Sequence, residues 1–195
     1  MKKKELVYLE LLHRAMDKKE ERITQLSLAE ALSVSLSTVN NAIKPLERMG
    51  AVEIGRMGFR VTDQEKALAY WGSIRDLHKD VVYRTRVEAS VSEIERSMPS
   101  GITYSAYSAF KFKFKEVPAD YSEVYVYASS LAELKDRFPE RKGPPNLIVL
   151  KSDPRLAELS KQHIVPPPQM YVDLWNLKEW YAKDFLKALE RRFKW

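Results

Sequence analysis

Cysteine is absent from the 195 residues, which excludes a disulfide framework and any thiolate metal site and makes a reducing compartment the default. Long apolar runs are missing too: no stretch approaches the ~20 apolar residues that a bilayer-spanning helix needs. The start, Met1-Lys2-Lys3-Lys4 followed by Glu5 and a charged amphipathic stretch, lacks the unbroken apolar core of a secretory signal. These absences lead to the expectation of a cytoplasmic protein without membrane contact. Catalytic constellations are equally scarce. His13, His78 and His163 lie far apart and share no ligand spacing, so no zinc signature forms. The six glycines build no phosphate loop, and no Asp-x-Asp pair offers carboxylates to two metals. Ser108-Ala109-Phe110-Lys111 fits the Ser-x-x-Lys string of some acyl enzymes but lacks its companion motifs. Asp173 and Glu123 read as isolated acids at caps or on the surface. The expectation is a protein that is not an enzyme and needs no cofactor or metal.

Charge, by contrast, is plentiful. Asp, Glu, Lys and Arg make up 31% of the chain, while Asn (40, 41, 146, 176) and Gln (25, 64, 162, 169) are few, the bias of proteins that work hot, as in a thermophile. A net charge of +6 and a pI near 9.3 permit an anionic partner. The excess is spread along the chain, with 13 basic against 11 acidic side chains in residues 1–77 and 20 against 16 in residues 78–195. Recognition must therefore be argued from pattern.

Leu6, Leu9, Leu12 and Met16 recur at helical spacing and predict a first helix that ends in the polar run 17–22. Residues 23–26 suit a small strand. Ser27-Leu28-Ala29-Glu30 has the form of a capping box, predicting a helix from Ser27 that stops at Ser33-Val34, and Ser35 offers the next N-cap. The following helix, 36–49, turns Leu36, Val39, Ile43 and Leu46 inward and Ser37, Thr38, Asn40, Asn41, Lys44 and Arg48 outward, with Glu47 on the flank. Pro45 should bend it, and Gly50 should terminate it. Beyond Gly50 the period becomes alternating on both sides of Gly55-Arg56-Met57-Gly58, the pattern of a hairpin. Two short helices at a tight turn followed by a hairpin let one helix enter a major groove while the wing reaches phosphate.

The run from Ser27 to Val52, with Ser35-Leu36-Ser37-Thr38-Val39-Asn40-Asn41 at its centre, resembles the winged helix-turn-helix of prokaryotic transcriptional regulators. On this reading Ser37, Thr38, Asn40, Asn41 and Lys44 contact double-stranded DNA, and Arg56 and Arg60 supply phosphate contacts from the wing. Lys2, Lys3 and Lys4 are further candidates for the backbone.

Asp63 is an N-cap for a helix to about Leu77 whose broad side carries Ala67, Tyr70, Trp71, Ile74 and Leu77. That side suits packing on the winged domain or on a second copy in a homodimer. Residues 81–83, 124–127 and 147–150 read as strands; 87–98, 105–110 and 130–138 read as helices. A strand or turn near 170–172 and a long helix 176–193 close the chain. Lys111, Lys113 and Lys115 alternate with Phe112 and Phe114, the spacing of a strand with one basic and one aromatic face. The prolines 166–168 read as a rigid entry to the last segment. Gly101-Ile102-Thr103-Tyr104-Ser105-Ala106-Tyr107-Ser108-Ala109-Phe110 and Val165-Pro166-Pro167-Pro168-Gln169-Met170-Tyr171-Val172-Asp173-Leu174 resemble the C-terminal half of abortive-infection E antitoxins, the regulators of type IV toxin–antitoxin systems, although glycine commonly stands in that family where this chain has Ala106.

The expected fold is α+β: a winged helix-turn-helix with its connecting helix in residues 1–77, then a small mixed α/β domain with a long C-terminal helix in 78–195. The resemblances imply an autoregulating repressor of the antitoxin kind, with a cognate toxin as candidate partner. The alternatives are a regulator that senses a small-molecule effector among the tyrosines and tryptophans of its C-terminal half and, last, a nucleic-acid-processing enzyme.

Overall fold

Helix α1 (Lys3–Met16) is apolar on more than one side, and the structure, a computed structural model describing residues 1–56 and 58–193, surrounds it accordingly. Around it lie α2 (Gln25–Leu32), α3 (Leu36–Arg48), the hairpin of β1 (Val52–Gly55) and β2 (Gly58–Val61), and α4 (Gln64–Ile74). Val7, Tyr8, Leu9, Leu11 and Leu12 of α1 are fully buried, each burial contributing roughly 1.5–3 kcal/mol. The Tyr8 hydroxyl donates to the Ala42 carbonyl at 2.9 Å, tying α1 to α3. The Tyr8 ring meets Tyr70 and Trp71, so the broad side of α4 packs within its own unit.

The capping box expected at Ser27 is not formed. Thr24 is the N-cap, its hydroxyl accepting from the Ser27 amide at 3.0 Å, and α2 begins at Gln25. Ser27 is drawn elsewhere: it accepts from Arg14, whose Nε donates at 2.6 Å to the buried carboxylate of Glu10. A buried carboxylate needs such a partner, and Ser27 accepts from the same guanidinium at 3.1 Å. Ser33 (φ 50°) ends α2 in the left-handed region, and Ser35 caps α3 through the Thr38 amide at 3.2 Å. The helix runs on through Pro45. Beyond it Gly50 (φ 74°) closes a Schellman motif, with Gly50 N–H on the Glu47 carbonyl and Ala51 N–H on that of Leu46.

The hairpin is antiparallel with Ile54 opposite Phe59 and Gly55 opposite Gly58. Ile23 pairs with Phe59 through both backbone bonds, at 2.9 and 2.7 Å, so the small strand expected at 23–26 is realised as a single bridge. Gly58 (φ 129°) permits this approach, since a Cβ there would stand 2.6 Å from the Ile23 carbonyl oxygen. Asp63 caps α4 as expected, but the helix ends at Ile74 rather than near 77; Leu77 is buried in a separate 3-10 turn, Leu77–Asp80.

The chain divides into two compact units, Met1–Arg75 and Asp76–Phe193. The second is built on β3 (Val81–Thr85), β4 (Ile102–Ser105), β5 (Val124–Ala128) and β6 (Leu147–Lys151) in the order β3-β6-β5-β4, with β5 and β6 parallel and the other pairs antiparallel. Strand alternation splits the core. Val124, Val126 and Ala128 join Ile94 of α5 (Val91–Arg96) and Leu134 of α7 (Ala132–Arg137) on one face. Tyr125 and Tyr127 turn to the other, where α6 (Ala106–Phe114), α9 (Pro167–Trp175) and α10 (Ala182–Glu190) pack. Helix α8 (Pro154–Leu159) follows β6. The outer edge of β4 is occupied, Tyr104 exchanging backbone bonds with His163 and Val165. The other border of the sheet, β3, bonds only to β6 among the named strands, and its register slips between Val81 and Tyr83.

Several elements differ from the sequence expectation. The Lys/Phe alternation at 111–115 is not a strand: it belongs to α6 and its cap Lys115, because Phe110 and Phe114, four residues apart, share one helix side at 4.7 Å. Residues 170–172 lie inside α9. The helix expected over 87–98 is confined to α5, and the one expected over 176–193 is α10 alone, starting after a turn at 179–181. Strand β4 and helix α8 were not anticipated.

Candidate nucleic-acid interface

Helix α3 has two distinct sides. Val39, Ala42, Ile43 and Leu46 are fully buried, while Ser37, Asn41, Lys44 and Arg48, spaced by four, three and four, form an exposed stripe with the partly exposed Thr38 and Asn40 beside it. Asn40, Asn41, Lys44 and Arg48 have no side-chain hydrogen bond or ion pair among the described residues. Their amides and charges are available to an external partner. Ser37 and Thr38 differ: their hydroxyls lie 3.1 and 2.9 Å from the Ser35 hydroxyl, in a network around the cap. Leu36, expected inward, is 49% exposed, because the first turn of α3 projects beyond the core that Val39 begins. Glu47 is exposed.

The hairpin presents the other two candidates differently. Arg56 sits at the tip, exposed and without a side-chain partner among the described residues. Arg60 is held at 2.6 Å by Glu53 on the opposite strand, both side chains about three-fifths exposed. Together with Glu21, Arg22, Gly55 and Gly58 these residues line a concavity of about 520 Å³. Arg22 escaped the sequence reading. Its signal was the neighbouring Ile23, whose pairing with Phe59 carries the arginine to the hairpin. Of the N-terminal lysines, Lys4 is engaged, 3.2 Å from the Tyr70 hydroxyl and over the Tyr8 and Tyr70 rings.

A family model described as winged helix-turn-helix DNA-binding matches residues 16–53. That span runs from the end of α1 through α2 and α3 into β1. No curated protein and no solved structure matches the chain. The helix-turn-helix with its wing, then the mixed α/β unit and its closing helix, make the α+β architecture that the sequence implied.

The second unit holds polar groups in its interior. Asp173, expected at a cap or on the surface, is buried inside α9, where its carboxylate accepts from Ser105 (2.6 Å), Tyr127 (2.8 Å) and Gln169 (2.9 Å). Ser105 ends β4, and the next residue, Ala106, has φ 49°, which turns the chain sharply into α6. A second carboxylate, Glu95, binds Lys111 and the Tyr121 hydroxyl, each at 2.6 Å. Burial and the bond to Glu95 push the Tyr121 phenol upward. Lys111 is thereby committed to Glu95, and Ser108 is fully buried, so the Ser-x-x-Lys string presents no accessible pair. Half-buried Glu123 accepts from the Tyr181 hydroxyl, and desolvation raises its carboxyl above the ordinary range. Among the described residues no three His, Asp or Glu side chains converge as a metal site, and no helix is long and apolar enough to cross a membrane.

Proposed function

We propose that the protein is a sequence-specific regulator of transcription that inserts α3 into the major groove of double-stranded DNA. The exposed, unengaged stripe of Asn41, Lys44 and Arg48 on a helix of winged helix-turn-helix type carries this reading. Asn40 and Asn41 supply the bidentate amides suited to adenine. Ser37, Thr38 and Lys44 serve base edges or phosphate, and Arg56 and Arg60 bind the backbone from the wing. The first unit reads DNA, and the second, from Asp76 to Phe193, binds the partner that regulates it.

The finer assignment is an autoregulating repressor of the type IV antitoxin kind. It is supported by the two C-terminal motifs, which the fold packs against one another: Ser105 of the first bonds Asp173 of the second. The small-molecule alternative has less support, because Tyr107, Tyr125, Tyr181 and Phe185 fill the space among themselves with ring centroids 4.9–6.1 Å apart.

Capture of genomic DNA by the purified protein at several salt concentrations tests the proposal, since phosphate-driven binding fades with salt and base-specific binding leaves one enriched motif. Enrichment upstream of the protein's own operon is expected. Capture without any preferred motif overturns the reading. Asn41→Ala is expected to weaken the enriched site about tenfold and to relax preference at one base pair, as loss of a bidentate contact of roughly 1–3 kcal/mol requires. Unchanged affinity and preference in a gel-shift series remove Asn41 from the base-reading set.

A further inference from the structure

The first turn of α3 combines two features that the amide-bearing stripe does not explain. Its hydroxyls are turned on one another: Ser37 and Thr38 both lie within hydrogen-bond reach of Ser35, which is itself the helix cap. Its carbonyl at position 36 is held by the Gln25 side chain at 3.1 Å, which brings the start of α2 against the start of α3. Between these satisfied groups stands Leu36, the first residue of the helix, with its side chain half in solvent.

The N-terminal residues of a groove-inserted recognition helix are those that reach base edges. An isobutyl group there has neither donor nor acceptor to offer. The complementary apolar feature on the major-groove floor is the 5-methyl group of thymine, which neither adenine, guanine nor cytosine presents. A leucine at this place disfavours the other bases as well, because packing against an exocyclic amine or a carbonyl oxygen desolvates a polar group without a partner.

We infer that Leu36 reads thymine through its 5-methyl group and so sets one base of the operator, independently of the amide readout by Asn40 and Asn41. This rests on the DNA-binding reading above and adds a specificity determinant to it. The held carbonyl and the capped turn make the contact pre-organised, so little ordering is left for the moment of binding.

The test separates the two claims. Full-length protein first selects a site from a random double-stranded library. Each thymine of that site is then replaced singly by deoxyuridine, which removes the methyl group and leaves every hydrogen-bonding group in place. For the wild-type protein one position, or one per half-site, is expected to lose about fourfold in affinity, the equivalent of one buried methyl group. Leu36→Ala is expected to bind the thymine and uracil duplexes equally, and Leu36→Gln to shift the preferred base at that position toward adenine, the base a Gln amide pairs bidentately. Selection of a site at which no thymine is sensitive to uracil overturns this inference and leaves the regulator reading standing. Full thymine discrimination retained by Leu36→Ala does the same. Failure to select any site overturns both. Thermal melts accompany each variant; loss of folding in both would make Leu36 a core residue and also count against the proposal.

Discussion

Arg60 enters any complex already partnered. Its bond to Glu53 joins two well-exposed side chains, and such pairs are worth only about 0–1 kcal/mol, so a phosphate can compete for the guanidinium. The carboxylate then remains near the backbone and repels it. Glu53→Gln should therefore tighten DNA binding by about two- to fivefold at low ionic strength, with the gain vanishing as salt screens the repulsion. Equal affinities of the two proteins at low salt would show that the wing does not approach the backbone. Asp173 stands at the opposite extreme, buried with three donors on its carboxylate. Asp173→Ala removes the acceptor of the Ser105 and Tyr127 hydroxyls and leaves the Gln169 amide its contact with the Tyr127 hydroxyl at 3.1 Å. The expected cost is about 3 kcal/mol or more, read as a drop in the denaturant midpoint of the second unit. Nothing in the spacing of the chain distinguished this acid from a surface one, because its partners come from positions 68, 46 and four residues away and only the fold assembles them.

At the scale of elements, local chemistry was legible where one residue type has one structural use. Ser35 and Asp63 were recognisable as caps and Gly50 as a terminator, and each does what its side chain or its lack of one dictates. Legibility failed where two uses compete. Ser27 offers a capping hydroxyl, but the buried Glu10–Arg14 pair claims it, and Thr24 takes the cap. The Lys/Phe alternation has the two-residue period of a strand, yet Phe110 and Phe114 satisfy a helix, and Phe112 finds Tyr104 at 4.8 Å on another side. The three prolines before Gln169 also permit two readings. They suit a stiff connector, and they equally suit a helix start, since Pro167 and Pro168 occupy the first turn of α9, where amide hydrogens have no acceptor anyway. The hairpin depends on one position. Gly58→Ala would force a Cβ onto the Ile23 backbone in a conformation unfavourable to side chains, and a loss of about 2 kcal/mol or more is expected in the thermal stability of the first unit. A melt unchanged by this substitution would mean that the pairing of Ile23 with Phe59 is dispensable.

For the whole molecule, the sequence conveyed the class of architecture and the position of the recognition helix, and left the hidden polar centre of the second unit unread. Charge is distributed over both units, so affinity for DNA must come from a few placed cations and not from a general positive field. Lys44 is one of these by the proposal above. Removing it as Lys44→Ala should weaken binding to all sequences alike and reduce the slope of log affinity against log salt by about one. An unaltered slope would take Lys44 out of contact with phosphate, while an effect on one sequence alone would make it a base reader.

The slipped register of β3 has a consequence for behaviour at high concentration. A border with an even ladder of amides and carbonyls invites a neighbouring chain to add itself, the first step toward fibrils. Here the pairing of β3 with β6 slips at Val82, an irregularity that bends a border strand, and the charged Arg84 follows, while the opposite border is already covered by the segment around Ile164. Both borders of the sheet are thus poor templates for the addition of a further strand.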